Sequence, residues 1–268
     1  MEQKSYTLPI IEQDDWLKPV AEEVVARHAR YEEKMRQIEA SSGTISDYAN
    51  GYHHFGWQWD DALDGWWLRE WLPGAEDVYL FGDFNNWQRT ELRMKRDPEG
   101  VWSIFLPAAM YRDRLTHGSL YKIHVHGPNG WMDRIPAYAK RVVQNEETKD
   151  FAAQFWWPAE PFDWQEDQPI DTSKGGLLIY EAHVGMAQEK EGVGTYREFT
   201  KKILPIIKRN GYNAVQLMAV AEHPYYGSFG YHVSNFFAAS SRCGTPEELK
   251  ELIRTAHKMG IAVIITWS

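Results

Sequence analysis

The sequence predicts a multidomain chain: a helix near the N-terminus, then an all-β sandwich, then β/α repeats. Three observations carry this. Between Val20 and Ile38 the apolar residues recur at steps of three and four, which makes one helical stripe. From Asp47 to Arg134 short alternating runs take over, separated by turn clusters. After residue 176 apolar runs of strand length alternate with two helices that open on capping boxes.

Residues 1–16 read as an extended arm. The stripe Val20, Val24, His28, Tyr31, Met35 and Ile38 follows, with Pro19 suited to a first helical turn and Ser41-Ser42-Gly43 as the stop. This segment, 1–46, is expected to brace a later domain. In the sandwich, 47–134, Trp67, Arg69 and Trp71 alternate with Trp66, Leu68, Glu70 and Leu72. Further runs cover 78–81, 102–106 and 120–126. Pro73-Gly74, Asp97-Pro98-Glu99-Gly100 and Gly127-Pro128-Asn129-Gly130 mark the turns between them. Residues 135–176 form an aromatic-rich linker containing Phe155-Trp156-Trp157-Pro158 and Pro161-Phe162-Asp163-Trp164. So many aromatics would suit a free tether badly, so the segment is expected to press two domains together.

The last part, 177–268, should hold buried strands at 177–180, 214–220 and 261–265, lying in that order as a parallel sheet. Thr195-Tyr196-Arg197-Glu198 and Thr245-Pro246-Glu247-Glu248 cap its helices, and Gly211 and Gly260 end them. Pro205 falls inside the first of these helices and should kink or shorten it.

Composition narrows the function. The chain of 268 residues is 43% hydrophobic and carries a formal net charge of -9, which argues against nucleic acid as a partner. The single Cys243 cannot form an intramolecular disulfide and suits a reducing compartment. The opening MEQKSYTLPI lacks the apolar core of a signal peptide. No run approaches the roughly 20 apolar residues that span a bilayer. These features together read as a cytoplasmic protein without a membrane partner.

The stretch with the most chemistry is Glu222-His223-Pro224-Tyr225-Tyr226-Gly227-Ser228-Phe229-Gly230-Tyr231-His232-Val233. It joins a strand to a helix, and such loops carry function at the C-terminal ends of barrel strands. Its clustered rings suit flat, weakly polar faces such as those of sugars. Glu181 and His183 lie two apart on one strand face, which suits a metal ligand pair or an acid/base couple. A buried hydrogen-bonding role fits them better, and no metal or cofactor is expected.

Tyr180-Glu181-Ala182-His183-Val184-Gly185-Met186, the aromatic loop, and Phe236-Phe237-Ala238-Ala239-Ser240-Ser241-Arg242 together resemble the glucan branching enzymes of the alpha-amylase superfamily, eukaryotic type. Gly82-Asp83-Phe84-Asn85-Asn86-Trp87, with Tyr121-Lys122-Ile123-His124-Val125 and Gly130-Trp131, is similar to the glucan-binding modules attached to that superfamily. The resemblance implies a (β/α)8 TIM barrel behind a glucan-binding sandwich, with three barrel strands in this chain. It implies a role in glycogen or starch synthesis: cleaving an alpha-1,4 glucan and transferring the piece to a 6-hydroxyl. It also implies alpha-glucan partners, namely glycogen, starch and maltooligosaccharides.

By the same resemblance Tyr231 stacks on the glucose at the cleavage point, and Glu222, His223 and Tyr226 lie in the matching loop. Trp87, Lys122 and Trp131 frame the sugar site of the sandwich. Retaining transglycosylases use two carboxyl groups about 5–5.5 Å apart. The family's catalytic carboxylates follow later barrel strands than these three, so no catalytic residue is assigned and the chain is expected to be an inactive N-terminal part. The third strand runs into Thr266-Trp267-Ser268, with Thr266 where the resemblance places an aspartate. A non-catalytic glucan-binding protein, or part of an isoamylase-type debranching enzyme, are the alternatives. The Glu181–Met186 wording and the N-terminal helix favour branching.

Overall fold

The helical stripe forms α1, Ala21–Ser42, which stops at Gly43, whose φ of 85° suits a residue without a Cβ. The computed structural model describes residues 8–266. The expected arm is helical where it is described: Pro9–Gln13 and a 3₁₀ stretch, Asp15–Val20, started by Pro9 and by the Asp14 carboxylate accepting from the Trp16 amide. Short-range capping of this kind leaves no signal in an apolar pattern. Contacts divide the chain into two units, Met1–His54 and Phe55–Ser268.

In the second unit ten strands build the sandwich: β1 (Gly56–Asp60), β2 (Gly65–Trp71), β3 (Asp77–Gly82), β4 (Leu92–Arg93), β5 (Lys95–Arg96), β6 (Val101–Pro107), β7 (Leu120–Gly127), β8 (Gly130–Arg134), β9 (Val142–Gln144) and β10 (Phe151–Gln154). One sheet has the order β1-β2-β6-β5; the other runs β4-β3-β7-β10-β9, with β8 pairing on β7. Alternate residues of each strand turn inward, so Leu68, Val78, Leu80, Leu106, Tyr121 and Ile123 meet in the core. β9 and β10 lie inside the stretch expected to be linker, 135–176. Each offers at most four residues, too few for an alternating pattern to show.

After the sandwich, residues 156–167 bind the next layer. Trp156 donates from Nε1 to the Glu247 carboxylate at 3.0 Å, Arg254 lies over the Phe162 ring at 5.0 Å, and His257 Nδ1 meets Asp167 Oδ2 at 2.8 Å. Arg141 also reaches across, donating to the Gly244 carbonyl at 2.8 Å.

That layer has a parallel sheet of three strands, β11 (Ile179–Ala182), β12 (Ala214–Leu217) and, at the end, β15 (Ala262–Ile265), in the order β11-β12-β15. An antiparallel ribbon, β13 (Ala221–Glu222) with β14 (Asn235–Ala239), lies between them in sequence. Two strand expectations are corrected. Leu177, Leu178, Ile179 and Tyr180 are 36–62% exposed rather than buried, because β11 is a sheet edge whose outer side has no neighbour among the described residues. The run 214–220 leaves the ladder after Leu217, where Ala219 takes a positive φ of 33° and ends the extended backbone.

Pro205 explains the unusual helix before β12. Its ring would collide with the Lys201 carbonyl in a regular helix. Instead Phe199–Ile203 opens into a π turn, with the Leu204 amide bonded five residues back to Phe199, and a regular helix α2, Leu204–Arg209, resumes with the proline in its first turn. The helix α3, Pro246–Lys258, packs Leu249, Leu252 and Ala256 inward. Trp267 and Ser268, into which the third strand is expected to run, lie outside the described residues.

Candidate functional site: an aromatic sheet face and an aromatic loop

The outer face of the second sheet carries every other residue of β7. Lys122, His124 and His126 point out while Tyr121, Ile123 and Val125 point in. The register sets Phe81 opposite Lys122, Tyr79 opposite His124, and Trp131 opposite His126. One face therefore gathers Tyr79, Phe81, Lys122, His124, His126 and Trp131.

Trp87 reaches this face from the turn after β3. A Cβ on Gly82 would stand 2.2 Å from the Leu120 carbonyl oxygen, so glycine is required there. Asn85 accepts from the Gly82 amide at 2.9 Å and donates to the Gln88 carbonyl at 2.8 Å. Asp83 takes the Leu120 amide at 2.7 Å and the Trp87 indole N–H at 2.9 Å. Asn86 and Trp87 are both left-handed, with φ of 51° and 60°. A bulky residue there costs on the order of 1 kcal/mol, and such strain gathers at functional sites. Trp87 rests edge-on against Phe81 at 5.6 Å.

Trp131 is 48% exposed and lies flat on His124, with centroids 4.6 Å apart and planes 9° apart. Lys122 donates to Asp150 Oδ2 at 2.6 Å. Around these three, sequence reasoning missed Phe81, Arg89, His124 and Asp133. The signal was there in part: the alternation of Lys122, His124 and His126 along one strand face.

The second candidate is the loop between β13 and β14. A Cβ on Gly230 would stand 2.2 Å from the Ala219 carbonyl oxygen, so the loop can fold onto the end of β12 only with glycine there. Tyr225, Phe229 and Tyr231 are 66%, 42% and 43% exposed. Tyr226 packs inward, with His183 at 6.1 Å and His223 at 6.4 Å.

Glu222 and His223 are buried at 0% and 2% exposure, so neither faces solvent where a sugar would lie. Glu222 accepts from the Ser241 amide at 2.7 Å and from the His223 amide at 3.1 Å, and lies 3.5 Å from Arg242. Arg242 also donates to the His223 and Pro224 carbonyls. The two residues thus anchor the loop rather than line it. Sequence could not reveal this, since a carboxylate in an aromatic loop reads as exposed until its partners are known.

Glu181 and His183 do not act as a couple. Glu181 is exposed and bonded to Gln216 at 3.1 Å, its neighbour across the sheet. His183 sits among Tyr226 and Phe229, and burial holds it below the usual histidine range, with the nearby His223 adding to the effect. Among the described residues no cluster of three or more His, Cys, Asp and Glu could hold a metal ion, and no helix is long and apolar enough to cross a membrane.

Residues 54–139 match the carbohydrate-binding module 48 (Isoamylase N-terminal domain) family. A 1,4-alpha-glucan-branching enzyme of Dictyostelium discoideum is 45% identical over 96% of this chain, and one of Yarrowia lipolytica is 42% identical over 97%. The chain spans 38% of the length of each of these relatives. In fold it is similar to a pullulanase solved in complex with maltotetraose, with a TM-score of 0.62 and 20% identity over 79% of this chain and 33% of that one. Over almost its whole length, then, the chain is similar to the N-terminal portion of 1,4-alpha-glucan-branching enzymes.

Proposed function

We propose that this chain carries the glucan-handling part of a branching glycosyltransferase, and that its own contribution is to bind alpha-glucan on the outer face of the sandwich. The observation that supports this best is Trp131: a half-exposed indole lying flat on His124, on the same face as Lys122 and Trp87. A flat ring turned to solvent stacks on the C–H face of a glucose unit, and the lysine can reach its hydroxyls. Binding of glycogen or maltotetraose should be weak, on the order of 10⁻⁴ M, because few contacts must offset the lost freedom of a flexible chain.

Under this reading the three parallel strands with their helices are the start of a (β/α)8 barrel, and Tyr231 belongs to its sugar-facing wall. The order β11-β12-β15 supports it. Glu222 and His223 then act by holding the loop. Branching is favoured over debranching because the branching enzymes of Dictyostelium discoideum and Yarrowia lipolytica are 45% and 42% identical over almost all of this chain. A single buried Cys243 suits a cytosolic setting.

The test is affinity electrophoresis of the 268-residue chain in gels containing glycogen. Trp87→Ala and Trp131→Ala should each weaken retardation about tenfold, the scale of losing one stacked ring, and Tyr231→Ala should leave it almost unchanged. Retardation that survives both tryptophan changes would put the site elsewhere. The same polypeptide should neither change the iodine stain of amylose nor release reducing ends, since branching needs a nucleophilic carboxylate paired with an acid/base. Heat-labile activity in either assay would overturn that expectation.

A further inference from the structure

This inference rests on the glucan-binding reading of the sheet face and concerns what fixes the Trp131 platform. Against Trp131 lie two imidazoles, His124 parallel at 4.6 Å and His126 tilted 37° at 4.8 Å, with the Tyr79 ring farther off at 5.9 Å and tilted 49°. An indole resting on imidazole is only as well oriented as the imidazole. His126 is held loosely, by Glu76 at 2.9 Å, whose side chain is 59% exposed.

His124 is held firmly. Its Nδ1–H donates to Asp133 Oδ1 at 2.7 Å. Asp133 in turn is gripped by Arg89, from Nε to both oxygens at 3.2 Å and from Nη2 to Oδ2 at 2.7 Å. A forked guanidinium–carboxylate pair fixes orientation as well as distance. Arg89 also holds the Asp133 carboxyl below the usual carboxylate range, so it stays an acceptor through neutral pH. The guanidinium lies over the Phe81 ring at 4.9 Å, and Trp87 leans on that same ring at 5.6 Å. One continuous set of contacts therefore runs from Trp87 through Phe81, Arg89, Asp133 and His124 to Trp131.

We propose that Asp133, clamped by Arg89, is a positioning residue for alpha-glucan binding: it fixes the His124 ring and so presets the face that Trp131 offers to a glucose unit. The preset platform loses little rotamer freedom when sugar arrives, which is where preorganisation gains affinity. Sequence alone gives Asp133 no role, because a strand aspartate reads as a solvated charge.

Two backgrounds test this in the 268-residue chain, with maltotetraose and glycogen as the probes and urea unfolding to show that each variant is folded. Asp133→Ala and His124→Ala should each weaken binding about fivefold, the scale of one disordered aromatic contact. His124→Phe supplies a flat ring that needs no carboxylate, so it should bind about threefold tighter than His124→Ala. In the His124→Phe background, Asp133→Ala should change affinity by less than about twofold, since coupled residues lose their separate effects. An equal loss from Asp133→Ala in both backgrounds, or no loss in either, overturns the positioning role. If the unaltered chain fails to bind, or Trp131→Ala leaves binding intact, the glucan reading of the face falls first and takes this inference with it.

Discussion

Glu70 shows how far one side chain can depart from what its strand position suggests. In the alternating run of β2 it falls on the inward face with Trp66 and Leu68, and it is 4% exposed. The Ala137 amide donates to it at 3.1 Å, and burial still pushes its carboxyl up to about 7 from 4.5. The sign follows from proton binding. Between pH 4.5 and 7 the folded state holds a proton that the unfolded state has released, so stability is complete below about 4.5 and falls as pH rises through about 7. The loss at pH 8 is on the order of 3 kcal/mol. Glu70→Gln keeps an acceptor for the amides and removes the charge. It should raise stability at pH 8 by about 2 kcal/mol and leave that at pH 4 nearly unchanged. Urea unfolding of both proteins across that range checks this, and parallel profiles would refute it.

At the scale of elements, signals that depend on neighbours in sequence were legible and those that depend on distant partners were not. Both capping boxes form as read: Thr195 with Glu198, and Thr245 with Glu248. The ends of the longer helices followed, because capping is a local arrangement of side chain and backbone. Strand lengths did not follow, since an apolar run continues whether or not a partner strand pairs with it, as 214–220 shows. β9 and β10 were too short to carry a pattern. On the sheet face, Trp87, Lys122 and Trp131 could be singled out only through a resemblance, and the Arg89–Asp133 pair became visible only once β8 was paired with β7. The aromatic loop gives the sharpest case, because Glu222 is an anchor buried inside it. Glu222→Ala would leave the Ser241 and His223 amides without their acceptor and take the carboxylate away from Arg242. The expected cost is about 3 kcal/mol, typical of breaking one partner out of a buried charged pair. Glycogen retardation through the sandwich should persist in that variant under conditions where it remains folded. A change of less than about 1 kcal/mol in urea unfolding would deny the anchor role.

At the scale of the whole second unit, two cores of different completeness share one chain. The sandwich closes on itself, with both inner faces filled. The parallel sheet has β11 and β15 as its edges among the described residues, and β11 with the residue before it turns Leu178, Ile179 and Tyr180 to solvent at 62%, 45% and 36% exposure. Parallel sheets are normally covered on both faces, and an exposed apolar edge templates association with other chains. The core beneath β12 is nonetheless well filled by Tyr196, Phe199, Leu204, Ile207, Leu252 and Ile261. These facts point in one direction: the layer folds, but opens more readily than the sandwich and associates through its edge. In the 268-residue polypeptide, amides of β12 should exchange at least about tenfold faster than those of β3 and β7, since local openings cost less where burial is incomplete. The chain should also self-associate as its concentration rises. Leu178→Lys places a charge on the exposed edge where little packing is lost, and it should shift the distribution towards monomer in sedimentation velocity without slowing exchange in β12. Equal protection of β12 and the sandwich strands, in a chain that stays monomeric at every concentration, would show that the exposed edge is harmless and this account of the layer is wrong.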